Sequence, residues 1–142
     1  MSWDLTAIKT KRHVQSVSDL TEEDCVLLER QQMIAELEKA AKACDAQLDT
    51  RDPSWLVMEK KEWLIEFSLS KQPREQLITM GLRVRGTREP TEVFAYLIQQ
   101  LGMRLVEWST GEFLDLSKQS SFGHCQEWSE RVLRDLAKSR KS

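Results

Sequence analysis

The chain has little of what usually announces a function. Its two histidines, His13 and His124, lie far apart, and its three cysteines, Cys25, Cys44 and Cys125, form no C-x-x-C pair. A metal site needs several such ligands converging at defined geometry, so none is expected. An odd, scattered set of thiols also fits a reducing, cytoplasmic setting better than a disulfide framework. Five glycines and three prolines leave little room for long linkers. Neither a GxxxxGK[ST] phosphate loop nor a GxGxxG dinucleotide turn is present. The longest uncharged run, residues 93–103, is too short and too polar to span a bilayer, so no membrane partner is expected. The N-terminus carries no apolar stretch followed by a small-residue cleavage site, which argues against a secretory signal.

Nucleophilic catalysis would require Ser or Cys beside an oriented base. Cys25 and Cys44 read instead as small core residues, and the abundant carboxylates read as helix starts and solvated faces. The expectation is therefore a protein without catalytic residues, cofactor or metal. His124 and Cys125 are the first ligands to consider should a metal be found, although Cys125 belongs to an apolar stripe.

What is present is pattern. The clearest stretch runs from Glu89 to Leu116. Pro90 suits a first helical position, Val93, Phe94, Leu97, Ile98 and Leu101 recur on one helical face, and Gly102 suits a left-handed cap. MRLVEW and EFLDL then flank Ser109-Thr110-Gly111, as in a bulged hairpin. This predicts a helix over 90–101 and strands near 103–108 and 112–116, with Trp63, Trp108, Leu97 and Ile98 in the core.

Residues 1–17 show no convincing period and are expected to form an arm that adds at most a short strand, anchored by Trp3, Leu5 and Ile8, ahead of a single domain over 18–142. Thr21 followed by Glu22, Glu23 and Asp24 reads as a helix cap with a negative first turn. Leu27, Ile34, Leu37, Ala41, Cys44 and Leu48 then keep heptad-like spacing, which predicts one long helix over 22–49. Residues 53–69 fit either a helix opened by Asp52-Pro53 or two strands. The alternation of Trp63, Ile65, Phe67 and Leu69 favours strands at 55–58 and 63–69. Pro73 is expected to open a short helical turn closed by Gly81, followed by an edge strand ending at Gly86. A last helix over 124–138 carries Cys125, Trp128, Val132, Leu133 and Leu136. The fold expected is α+β, a small antiparallel sheet of two hairpins packed with a central and a C-terminal helix, plus the long N-terminal helix.

Two features point outward. A long apolar seam needs burial, so Leu27, Ile34 and Leu37, with Trp55, are expected to bind another protein or a second copy of the chain. This predicts a non-enzymatic cytoplasmic interaction protein of adaptor, inhibitor, immunity or chaperone type. The alternative is a nucleic-acid-associated regulator using the basic segment 71–88, through Arg74, Arg83, Arg85 and Arg88. The acidic remainder of the chain disfavours that alternative, because a polyanion would be repelled.

Overall fold

The computed structural model describes residues 2–69, 76–77 and 79–116. Its frame is a six-stranded antiparallel sheet in the order β3-β4-β5-β7-β1-β8. The strands are β1 (Trp3–Ile8), β3 (Gln47–Asp49), β4 (Trp55–Glu59), β5 (Trp63–Ser68), β7 (Met80–Gly86) and β8 (Arg104–Glu107). A separate two-stranded ribbon pairs β2 (Leu28–Glu29) with β6 (Gln76–Leu77). Helix α1 (Arg30–Ala43) and the short α2 (Thr91–Ala95), continued as a π turn through Gln100, contribute to one shared core.

Strict alternation builds that core. Leu56 and Met58 on β4, Ile65 and Phe67 on β5, Leu82 and Val84 on β7 and Leu5 and Ala7 on β1 all point to the helix side. There they meet Met33, Leu37 and Ala40 of α1 and Val93, Phe94 and Leu97 of α2. Trp3 sets its ring edge-on to Phe94, with centroids 5.6 Å apart. That T-shaped contact matches the quadrupoles of the two rings. Residues in between, at every second position, face the other side of the sheet, which no described helix covers.

The long N-terminal helix is not present, and local chemistry explains why. Thr21 opens only a single 3₁₀ turn, Glu22–Asp24. Its own N–H and Oγ1 donate to the Asp24 carboxylate at 3.1 and 2.9 Å, and Arg12 grips the same carboxylate through two bonds of 2.8 and 3.0 Å. Lys11 N–H donates to the Asp24 carbonyl and Val26 N–H to that of Lys9, so this segment is tied to the chain after β1. The helix starts only at Arg30 and ends at Cys44 in a Schellman arrangement. Ala46 N–H reaches the Ala41 carbonyl, Asp45 N–H reaches that of Lys42, and Asp45 takes the left-handed conformation at φ 55°. Aspartate is one of the few residues that visits this region readily. Leu48 therefore belongs to β3, where it sits opposite Met58, and the six-residue seam is not one helical face.

Other expectations are corrected in the same way. Trp3–Ile8 is an interior strand, and the expected anchors Trp3, Leu5 and Ile8 are buried in it. β7 is also interior, between β5 and β1, where an edge strand was expected. Gln76–Leu77 is strand in a segment expected to be a helical turn. Residues 112–116 form no regular strand, only a bridge of Phe113 to Val106 with flanking bonds from Glu107 N–H to Glu112 and from Leu114 N–H to Leu105. The strands expected at 55–58 and 63–69 are found as β4 and β5. The helix predicted over 124–138, with His124, Cys125 and Trp128, lies outside the described residues, as do Pro73 and Arg74.

The Asp24 clamp has a pH signature. Its bonds from Arg12, and then those from Thr21, hold the carboxyl at about 2, below its ordinary 3.8. A carboxyl with a depressed folded pKa stabilises the fold fully above its unfolded pKa, and that stabilisation is lost as pH falls through the folded one. Asp24→Asn should thus melt below wild type at neutral pH, with the gap closing between pH 3.8 and about 2. Melting curves across that window check this, and a pH-independent gap would contradict it.

Candidate functional site

The uncovered face of the sheet is the surface where unusual residues collect. Cross-strand register places Trp55 opposite Ser68, Ser68 opposite Gly81 and Gly81 opposite Thr6. Just beyond β8, the Trp108 indole N–H donates to Thr6 Oγ1 at 2.7 Å, and its backbone N–H donates to the Asp4 carbonyl at 3.1 Å. Two tryptophans thus bracket a floor of small residues. Three strand spacings separate the Trp55 and Thr6 backbones, about 14 Å. Trp55 is 37% exposed and Trp108 67%. With Leu27, they are the large exposed hydrophobic residues among those described.

Between the two rings lies an open trough of about 210 Å³, lined also by Asp4, Glu66, Ser68, Gly81 and Arg83. Gly81 keeps its floor low, since a Cβ there would already touch the Ser68 Cβ at 3.4 Å. One row along, Val57, Glu66, Arg83 and Asp4 follow one another across β4, β5, β7 and β1. Arg83 Nε donates to Asp4 Oδ1 at 3.2 Å. The side chain of Glu66, on the other side of Arg83 in register, makes no ion pair or hydrogen bond among the described residues. The outward positions of these strands include the carboxylates of Asp4, Asp49, Glu59 and Glu66 against the guanidinium groups of Arg83, Arg85 and Arg104.

Both sheet edges are protected. β3 is three residues long, and Arg51 clamps its Asp49 at 2.6 Å, holding that carboxyl at about 2. The outer edge of β8 is partly occupied by residues 112–114. A partner strand would find few free backbone groups at either edge.

The residues expected to bind a partner are not brought together. Leu37 is fully buried under α1, and Ile34 is packed at the margin of the core. Leu27 precedes the helix and is 57% exposed, beside a separate hollow of about 260 Å³ shared with Met33, Leu101 and Met103. Trp55 alone lies on the open face. Trp108, expected in the core, is exposed there too. Of the arginines, Arg83 is paired with Asp4, and Arg85 is exposed opposite Leu64. Arg88 bonds Glu92 at 2.9 Å and Glu62 at 3.2 Å. Those bonds, with Glu92 the larger influence, push the Arg88 pKa up.

Sequence reasoning missed Thr6, Glu66, Ser68, Gly81 and Trp108 as one surface. The signal was there in part: in MRLVEW, the period that buries Met103 and Leu105 puts Arg104, Val106 and Trp108 on the other side. Cys44 is not a reactive thiol, since burial pushes its pKa up and keeps it protonated. No helix among the described residues is long and apolar enough to cross a membrane. Compared with protein-family models, curated proteins and solved structures, the chain matches none.

Proposed function

We propose that this protein is a non-enzymatic interaction module that docks one protein partner on the open face of its sheet, in the manner of an adaptor, inhibitor, immunity factor or chaperone. The observation that carries this reading is the pair Trp55 and Trp108, both exposed and both lining one trough. Tryptophan and arginine are the residues most enriched at binding hot spots, and Arg83 stands between the rings. The two indoles share one trough rather than lying scattered, and it is a contiguous exposed apolar patch that marks an interaction surface.

A second reading has one observation in its favour. An open antiparallel face with aromatic side chains is how some RNA modules stack unpaired bases. The carboxylates of Asp4, Asp49, Glu59 and Glu66 outnumber the arginines on that face, which works against a phosphate backbone.

A photo-crosslinking side chain placed at Val57, next to Trp55 on the outward side of β4, separates these readings. We expect a discrete protein adduct in extracts of the native host, and none from the same group placed at Lys39 on the exposed side of α1. An adduct removed by nuclease would favour the RNA reading, and equal adducts from both positions would defeat the assignment of the face.

A further inference from the structure

We infer that the trough between Trp55 and Trp108 receives an arginine side chain of the partner, carried on an extended segment. This rests on the docking face proposed above and names the chemistry of its central contact. Three observations converge on it. The walls are indole rings, and the face of an indole attracts cations more strongly than any other side chain's ring. Trp108 has its one N–H committed to Thr6 at 2.7 Å, so its ring is held in place and offers its π surface rather than a donor. Within the wall, Asp4 already has Arg83 at 3.2 Å, whereas Glu66 makes no ion pair among the described residues.

Among the described residues the trough thus has one carboxylate without an ion pair, Glu66, in a lining that also holds Trp55 and Trp108, and with Arg83 opposite it in register the trough keeps one net negative charge. An incoming guanidinium satisfies rings and carboxylate at once, stacking its plane on indole while donating a forked pair of bonds to Glu66. A lysine ammonium, a more strongly hydrated point charge, would use the carboxylate but gain less from the rings. The space of about 210 Å³ admits a single long side chain and excludes a helix. The low floor at Ser68 and Gly81 lets the backbone of an extended segment lie close to the sheet.

The test reads the trough without the partner. The full chain, ¹⁵N-labelled, is titrated with acetyl-Gly-Arg-Gly-amide, and the indole N–H signals of Trp55 and Trp108 are followed after assignment with Trp55→Phe and Trp108→Phe. We expect both signals to shift saturably, with apparent affinity falling about tenfold in Glu66→Gln, the loss typical of one charge-assisted contact. The same peptide with Leu or Glu in place of Arg should leave both signals in place. Equal shifts with the Leu peptide, no shift with the Arg peptide, or a Glu66→Gln titration matching wild type would each overturn the arginine assignment. If the Val57 adduct formed while the Arg peptide produced no shift, this inference would fall and the docking face would stand.

Discussion

Gly86→Ala is expected to destabilise the fold by on the order of 3 kcal/mol or more, through backbone strain and a direct clash together. Gly86 holds φ at +137°, a conformation that L side chains rarely adopt. A Cβ there would lie 2.3 Å from the Glu62 carbonyl oxygen and 2.7 Å from the Trp63 Cα. Neither is the far end of a flexible side chain, so relief requires β5 and β7 to separate. The position is the last rung of that pairing, Trp63 opposite Gly86, and the Glu62 carbonyl also accepts from Thr87 N–H at 2.9 Å. For a chain of this size such a loss lowers the melting temperature by roughly 10 °C. Gly111→Ala is the internal control, since it too has positive φ but nothing within 4 Å of a new Cβ. Thermal melts of the two variants check the claim. Equal melting temperatures would mean that β5 and β7 do not meet at this rung.

Trp63→Ala is the second large effect, expected to cost about 3–5 kcal/mol for a fully buried tryptophan. Trp63 is 2% exposed, and its indole N–H donates to Glu92 Oε1 at 2.8 Å. Glu92 in turn takes two bonds from Arg88, at 2.9 and 3.0 Å, and Arg88 reaches Glu62 at 3.2 Å. Trp63 thus joins the core to the network that closes this end of the sheet on α2. The Glu92 pKa is lowered, by Arg88 first and by Trp63 to a lesser degree. Truncation leaves a cavity and removes one of the carboxylate's donors. Trp63→Phe separates the two effects, keeping a ring while losing the bond, at about 1–2 kcal/mol. Denaturant melts measure both. A Trp63→Ala variant as stable as wild type would contradict the core described here.

These effects mark which parts of the fold were legible in the chain itself. The β4–β5 hairpin was, because Trp63, Ile65 and Phe67 alternate with Leu64, Glu66 and Ser68 and face one side. So was the Gly102 cap, which has the expected positive φ of 66° and closes through Met103 N–H to the Leu97 carbonyl. The segment 22–49 misled because apolar residues of three different elements happen to fall at heptad spacing. Leu27 precedes the helix, Leu37 and Ala41 lie on it, and Leu48 belongs to a strand. The spacing by itself does not distinguish that coincidence from a seam. What decides it is Arg12 reaching Asp24 across twelve residues and Asp45 in the left-handed region.

The candidate surface was harder to see for a related reason. Arg83 and Arg85 were correctly placed on one face of a strand, but a charged face suits an interior strand with one solvated side as well as an edge. Only the register, with Asp4 beside Arg83 and Gly81 beside Thr6, gathers residues distant in sequence into one trough. Trp108, expected in the core as part of the packed hairpin, is exposed because the alternation in MRLVEW puts it with Arg104 and Val106 on the outward side.

The most direct test of the docking face repeats the crosslinking from Val57 in a Trp55→Ala, Trp108→Ala background. Both side chains lie outside the core, Trp55 37% and Trp108 67% exposed, so the double variant should still fold, with a melting temperature lowered by the lost cross-strand packing and the lost Trp108–Thr6 bond. The protein adduct should fall to a small fraction of its wild-type yield, because removing two central aromatic anchors typically weakens an interface at least a hundredfold. An adduct of undiminished yield from a normally folded double variant would contradict the account.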